Sequence, residues 1–204
     1  MSCQFLFFCA LLLAYVLGSI PFGFLVAKAR GTNILAVGSG NMGATNVRRT
    51  VGRWAGISVF FLDAAKGFLA LHITRVFPKS ALDPSVLAAA ALTGAFLGHN
   101  FSIFLKFRGG KGVSVTIGGL LSLMPNVLFI GLLTWVVVFA ATRFVSLASV
   151  CFSLTLPLCS YLFAYPFVLN FLILAISAFI IGRHLSNIRR LIAGTEYRFE
   201  RRET

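Results

Sequence analysis

From Phe144 to Gly182 the chain carries no aspartate, glutamate, lysine or arginine. As a single helix that stretch would be roughly 57 Å long, nearly twice the hydrocarbon core of a bilayer. It must be broken, and "AYPFVLN" supplies the break at Pro166. A second apolar block, 113–141, is interrupted in the same way by "LMPN" at Pro125 and Asn126. Upstream, apolar runs near 4–27, 54–77 and 84–105 are each about long enough to cross a membrane. The whole chain is 58% hydrophobic and only 11% charged, with a mean hydropathy of +0.93. This predicts an all-α, polytopic membrane bundle formed as one domain over residues 1–204. No repeat of 20–50 residues and no low-complexity segment divides it. The start, "MSCQFLFF", has no basic n-region, and Gly18 and Pro21 lie well inside the first apolar run, so that span is expected to be retained.

Charge decides how many times the chain crosses. Eighteen Lys and Arg stand against five acidic residues, a net charge of +13. Lys28, Arg30, Arg48, Arg49 and Arg53 flank one polar loop, Lys106, Arg108 and Lys111 occupy another, and the tail from Arg183 holds six arginines. The remaining connections offer only Arg75 and Lys79 near one turn. Breaking one long block and not the other gives six spans and puts the basic tail on the wrong side. Breaking both gives seven, with the N-terminus outside, the C-terminus cytoplasmic and every basic loop inside. Four polar segments, 28–53, 98–112, 141–146 and 183–204, then share the cytoplasmic face.

Those segments hold the candidate chemistry. The first contains "VGSGNMGATNVRR", where glycines, amides and hydroxyls precede paired arginines. Gly38, Gly40 and Gly43 let backbone N–H groups approach an anion, Ser39, Asn41, Thr45 and Asn46 add polar groups, and Arg48 and Arg49 add charge. The second reads "GHNFSIFLKFRGGKGVS", with Lys111 between Gly110 and Gly112, so that nothing shields its ammonium. It lacks the spacing of a Walker A loop. His99 reads as a packed interfacial histidine. The third, "GRHLSNIRRLIAGTE", spaces Leu185, Ile188, Leu191 and Ile192 as an interfacial helix and sets His184 and Asn187 on one face. Within the second span-like run, 54–77, Asp63 and Lys66 read as a structural ion pair, since no further carboxylates extend a proton path. Cys3, Cys9, Cys151 and Cys159 lack metal-site spacing and His companions, so no metal and no cofactor is expected.

Taken in order, "YVLGSIPFGFLVAK", "GSGNMGATNVRRT", "GHNFSIFLKFRGGKGV" and "RHLSNIRRLIAGTE" resemble the bacterial membrane glycerol-3-phosphate acyltransferases that use acyl-phosphate, the PlsY family. The resemblance covers essentially the whole chain, including the intramembrane "LDAAKG". It implies a seven-helix bundle in the bacterial inner membrane with its site at the cytoplasmic face. The implied reaction moves a fatty acyl group from acyl-phosphate to the 1-hydroxyl of glycerol 3-phosphate. Carried over position by position, it makes His184, Asn187, Ser39 and Lys111 the catalytic candidates. Gly40, Asn41, Thr45, Asn46, Arg49, Gly109 and Gly110 are implied to bind phosphate or substrate, as are Arg143 and Ser149 from "TRFVSLAS". Glu196 matches the third motif in a structural role. The sequence departs from the family where Asn33, Ile34 and Leu35 replace an Asp-Ile-Arg run, where Ser102 replaces a proline, and where Ser114 and Val115 replace Ala-Thr.

The expected partners are the two substrates, membrane lipids and the enzyme that supplies acyl-phosphate, with no nucleic acid. A transporter of organic phosphates or other anions is the rival class, and a lipid-binding scaffold a weaker one. A transporter predicts inverted repeats and polar residues meeting at mid-membrane. Here the polar residues cluster on one side. Direct transfer is expected, because no nucleophile has both a base and an orienting carboxylate. The proton acceptor is either His184 or a substrate phosphate. The phosphate is favoured because His184 has no carboxylate to fix its tautomer.

Overall fold

The computed structural model describes residues 3–76 and 83–199. Lys79, Glu200 and Glu203 lie outside the described residues. The described secondary structure is helical, apart from one isolated bridge between Ser102 and Arg108. The helices fall into two compact units, Met1–Leu123 and Met124–Thr204.

In the first unit the apolar run expected to be one span is two helices, α1 (Cys3–Ser19) and α2 (Phe22–Lys28). Pro21 breaks them, because it has no N–H to continue the ladder. The polar loop that follows contains a short helix, α3 (Ala44–Thr50), and leads into α4 (Arg53–Ile73). Next comes α5 (Pro84–Asn100), which opens on an N-cap: Asp83 accepts from the Ser85 N–H at 2.7 Å, and Pro84 takes the first helical position. The unit ends with α6 (Val113–Leu123), only 11 residues long.

Small residues set how closely these helices approach. Ala10, Ala14 and Gly18 line one face of α1, and Ala90, Gly94 and Gly98 line one face of α5 at the same four-residue spacing. The two helices run parallel, with backbone against backbone. A Cβ on Gly94 would lie 2.2 Å from the Leu11 carbonyl oxygen, and one on Gly98 would lie 2.2 Å from that of Tyr15. In a bilayer, where lipid is as apolar as leucine, this close packing is what joins helices. Hydrogen bonds finish the join: Tyr15 Oη donates to the Phe101 carbonyl at 2.8 Å, and Ser102 Oγ donates to that of Ser19 at 2.5 Å. Ser102, the departure from the family proline, thus ties the second polar loop to the end of α1.

The first polar loop has a core of its own. Ala27, Ile34, Met42, Val47, Ala55 and Val59 form one buried apolar cluster beneath it. A segment that hydropathy reads as an open connection is therefore packed.

The second unit is a consecutive set of helices, α7 (Pro125–Thr142), α8 (Val145–Leu162), α9 (Phe167–Arg183) and α10 (Leu185–Ile192). Both expected breaks are present, one ahead of Pro125 and one at residues 163–166. Neighbouring spans are tied by polar side chains that find partners inside the apolar layer. The Ser160 hydroxyl bonds the Asn170 carboxamide oxygen, and Asn170 Nδ2 donates to the Tyr165 carbonyl at 2.8 Å. Between α7 and α8, a Cβ on Gly131 would lie 2.9–3.0 Å from the side chains of Leu156 and Phe152, closer than van der Waals contact allows unless they shift.

Large apolar side chains such as Phe8, Leu12, Phe61, Phe129, Val137, Leu158 and Phe171 are more than half exposed. A water-soluble protein rarely presents so many, and lipid is their natural solvent. Among the described residues, four helical segments are long and apolar enough to cross a membrane: Cys3–Lys28, Arg53–Ile73, Pro125–Thr142 and Val145–Leu162. A fifth is reached if α9 and α10, bent by 53° at their junction, count as one span.

Candidate active site

The first unit brings two of the three motifs together. Asn46, 4% exposed, is the hub of the first loop. Its Oδ1 accepts from the Ser39 N–H at 2.9 Å, and its Nδ2 faces the carbonyls of Asn41 (2.8 Å), Val37 (3.1 Å) and Ile34 (3.4 Å). Asn41 works at the edge: its Oδ1 accepts from the Gly43 N–H at 2.8 Å, while Nδ2 reaches across to the Gly109 carbonyl at 3.4 Å. Asn41 and Asn46 therefore shape the loop and bind it to the second motif.

This changes one part of the expected anion nest. The N–H groups of Ser39 and Gly43 are taken by asparagine side chains, and that of Gly40 donates to the Val37 carbonyl at 3.1 Å. The loop instead exposes side chains. Ser39, Thr45 and Arg49 are all exposed, and Thr45 and Arg49 stand one turn apart on the same face of α3. Burial, and then the neighbouring charge of Arg53, lowers the pKa of Arg48. Two guanidinium groups that feel each other make a rim that favours an anion.

The second motif is pressed against the end of α5. A Cβ on Gly109 would lie 2.2 Å from the His99 carbonyl oxygen and 2.3 Å from that of Asn100. On Gly110 it would lie 2.0 Å from His99 Nε2, and the Gly110 N–H donates to the His99 carbonyl at 3.0 Å. Only glycine fits at either place. Lys111, half-buried, follows directly and inherits its position from them. His99 is 2% exposed, with Nδ1 3.5 Å from Asp63 Oδ1, and that carboxylate pairs with Lys66 at 2.9 Å. Lys66 also donates to the Ile20 carbonyl at 2.9 Å. The ion pair read from the sequence as intramembrane thus stands level with the ends of α1 and α5, where the motifs are. Sequence reasoning missed its connection with His99, because 36 residues of chain separate partners that no periodicity links.

The second unit holds the third motif and the 143–149 segment. Gly194, at φ 68°, turns the chain after α10, and the Thr195 N–H donates to the Arg190 carbonyl at 2.8 Å. That turn folds Glu196 back. Its Oε1 accepts from Asn187 Nδ2 at 2.7 Å and from Ser146 Oγ at 2.9 Å, and its Oε2 accepts from Arg190 Nε at 2.7 Å. Burial pushes the Glu196 carboxyl up, but those three hydrogen bonds and the Arg190 charge outweigh it and hold the pKa below its ordinary value. A carboxylate can only accept, so Asn187 must turn its NH₂ toward Glu196 and present Oδ1 at its other end.

His184 and Asn187 are both buried, as their shared face predicts. His184 Nδ1 lies 2.8 Å from the Ile180 carbonyl oxygen, which accepts only. In the neutral ring Nδ1 therefore carries the proton and Nε2 the lone pair. The backbone does what a carboxylate was expected to be needed for. Arg143 caps α7 in the left-handed region, at φ 65°, and its carbonyl accepts from the Phe199 N–H at 2.9 Å. The Ser149 hydroxyl is used within the helix pair, donating to the Val145 carbonyl at 2.8 Å and accepting from Trp135 Nε1 at 3.3 Å.

Known proteins are similar to this chain along almost its whole length. Residues 8–194 match the family described as glycerol-3-phosphate acyltransferase. The Aquifex aeolicus glycerol-3-phosphate acyltransferase is 42% identical over 187 residues, 91% of this chain and 95% of that one. The Wolbachia pipientis wMel enzyme of the same name is 41% identical over 191 residues, 94% of this chain and 97% of its own. The fold is similar to the crystal structure of PlsY, an integral membrane glycerol 3-phosphate acyltransferase, in its glycerol 3-phosphate form. The TM-score is 0.88 at 39% identity, covering 95% of this chain and 96% of that one. The lysophosphatidic acid form of PlsY gives 0.85 at the same identity, with 95% of each chain covered. A polar loop built by asparagines, a lysine set by two glycines and a match across the full membrane fold leave no room for the transporter reading: the chain belongs to the glycerol-3-phosphate acyltransferase family of integral membrane enzymes.

Proposed function

We propose that this membrane acyltransferase moves a fatty acyl group from acyl-phosphate to the 1-hydroxyl of glycerol 3-phosphate, releasing lysophosphatidic acid and inorganic phosphate. One observation carries the reading. The two glycine-rich motifs are held together by Asn41 and offer Lys111, Arg49, Ser39 and Thr45 with no carboxylate in either loop. Such a surface suits a doubly charged phosphate. Acyl-phosphate is an activated mixed anhydride, so positioning and charge stabilisation suffice.

The transfer is direct. The 1-hydroxyl oxygen attacks the acyl carbon, the bond from that carbon to the phosphate oxygen breaks, and phosphate leaves with the electron pair. The hydroxyl proton goes to His184 Nε2 and from there to the departing phosphate. The tautomer fixed by the Ile180 carbonyl favours His184 over a substrate phosphate as first acceptor. Asn187, oriented by Glu196, presents Oδ1 to accept from another hydroxyl of the acceptor, since the proton of the 1-hydroxyl goes to His184.

We place the enzyme in the bacterial inner membrane with seven crossings, α1 with α2, then α4 to α9 in turn, N-terminus outside and C-terminus cytoplasmic. The even placement of basic loops supports this, and so does the parallel run of α1 and α5, which an odd number of intervening reversals could not give. α6 would be a partial crossing of about 16 Å. Cysteines at the exposed positions Arg30, Lys106 and Thr195 should label only from the cytoplasmic side, and one at Phe163 only from outside. The activity itself is tested by giving purified protein labelled glycerol 3-phosphate with acyl-phosphate, acyl-CoA or acyl-carrier protein in parallel. Lysophosphatidic acid should form with acyl-phosphate alone, and product from a thioester would overturn the donor assignment.

A further inference from the structure

Neither Asp63 nor His99 is among the residues assigned to substrate, yet the pair sits directly beneath Gly110, which is. Both side chains are almost fully buried, at 2% and 3% exposure. Asp63 is held from the other side by Lys66, whose ammonium also meets the Ile20 carbonyl and the face of the Phe22 ring, 5.8 Å from its centre. The carboxylate is thus anchored in α4 and cannot follow a moving ligand. Its Oδ1 lies 3.5 Å from His99 Nδ1, within ion-pair range but longer than a full hydrogen bond, and Nε2 stands at the opposite edge of the ring. What Nε2 meets is the backbone of Gly110. The ring occupies the space that a side chain at position 110 would need, and the His99 carbonyl takes the Gly110 N–H.

We infer that Asp63 and His99 are positioning residues for acceptor binding: Asp63 fixes the His99 ring, and the ring sets the height of Gly110 and therefore the place of Lys111. The inference rests on the reading of Lys111 as a phosphate ligand. Nothing reacts at either residue. An imidazole is a stiff plate with a polar atom at each end, so a carboxylate on one edge fixes the other edge. A loop resting on that edge cannot sink or tilt. A lysine on a loop free to move by an ångström loses most of its advantage in holding a phosphate, because the geometry must be re-formed at each binding event. The effect belongs to ground-state binding of the acceptor, and the acyl donor need not feel it.

The test is a set of kinetic measurements on the full-length enzyme in one membrane mimetic, with both substrates varied. His99→Ala should raise the KM for glycerol 3-phosphate about tenfold, while kcat changes less than about threefold and the KM for acyl-phosphate stays within about twofold. His99→Gln, whose amide reaches the place of Nε2, should recover most of that loss. His99→Asn, which keeps only the place of Nδ1, should not, and it carries the test if the alanine variant does not fold. Asp63→Asn should raise the acceptor KM about threefold in the native background and leave it unchanged in the His99→Ala background, since one acts through the other. Multiplying effects in the double variant, or an equal loss in both substrates' KM, would overturn the inference. Lys111→Ala measured beside them separates the two readings. If it leaves the acceptor KM unchanged, the phosphate-ligand reading fails. Amide hydrogen exchange at 109–112 then still decides the mechanical part: it should quicken in both His99→Ala and Asp63→Asn, and no change would overturn it.

Discussion

The two polar organisers of this enzyme, Asn46 in the first unit and Glu196 in the second, do the same work with different charge. Each gathers several hydrogen bonds and fixes a loop that hydropathy alone would leave open. Asn46 does so as a neutral amide, and no carboxylate occurs in either 28–53 or 98–112. Glu196 does so as an anion and consumes Arg190 in the process. The difference teaches where positive charge is meant to remain available. A carboxylate among the glycine loops would pair with Arg49 or Lys111 and compete with phosphate. Beside α10 the competition is harmless, because the groups to be oriented there, His184 and Asn187, are not cations needed to hold phosphate.

The comparison can be broken most severely at Gly109. A methyl group there meets two backbone carbonyls that cannot move aside, so Gly109→Ala should lower kcat/KM on the order of 100-fold, the scale expected for misplacing a binding loop by an ångström. Equal activity in steady-state assays would mean that the loop need not rest on α5. Lys111→Ala should raise the acceptor KM by on the order of tenfold or more, as expected for a lost charged hydrogen bond. An acceptor titration with kcat held in view checks this. Asn41→Asp sharpens the electrostatic argument: it keeps the oxygen that receives the Gly43 N–H, adds charge, and gives up only the long Nδ2 bond to the Gly109 carbonyl. It should raise the acceptor KM about fivefold, and more at low salt than at high salt. If Asn41→Ala were equally harmful, shape rather than charge would be the reason for the amide.

The smallest effect is expected at Glu196, and it has a signature in pH. The folded pKa lies below the ordinary value, so the clasp contributes stability above the unfolded pKa of about 4.3 and loses it as pH falls through the lower folded value. Glu196→Gln should therefore destabilise the protein by about 1 kcal/mol at neutral pH, with the gap from the native protein closing as pH drops below about 4. Thermal unfolding in detergent at several pH values reads this directly.

Much of the fold was legible in the sequence because proline and charge are local signals. Pro125 and Pro166 marked real breaks, and the basic loops are where the motifs lie. Pro21 was just as visible, and the run 4–27 is one span as expected, but hydropathy averages over the interrupted turn and does not show that the span is two helices. The packing of α1 on α5 was not read at all. Glycines in an apolar run look merely tolerated until the partner backbone is known to lie 2.2 Å from where a Cβ would be. In the candidate site, residue identity was legible and residue role was less so. Asn41 and Asn46 were named as ligands, but their side chains are used to hold other parts of the loop. His99 was dismissed as interfacial, because its partner Asp63 is remote in sequence and only folding brings them together.

The ion pair between Asp63 and Lys66 has a consequence for how the protein is made. The two residues are three apart on α4 itself, so the charges cancel within one helix. A nascent segment leaving the ribosome must partition into lipid before α5 and α6 have been synthesised. A lone aspartate at its centre would weigh against that step by about 2.5–3.5 kcal/mol on insertion scales. With Lys66 one turn away, α4 can enter the bilayer already neutralised, and His99 need only find Asp63 afterwards, when α5 arrives beside it. Lys66→Leu should therefore lower the fraction of chains with α4 inserted in a translocon assay, even in a truncated chain that stops before α5.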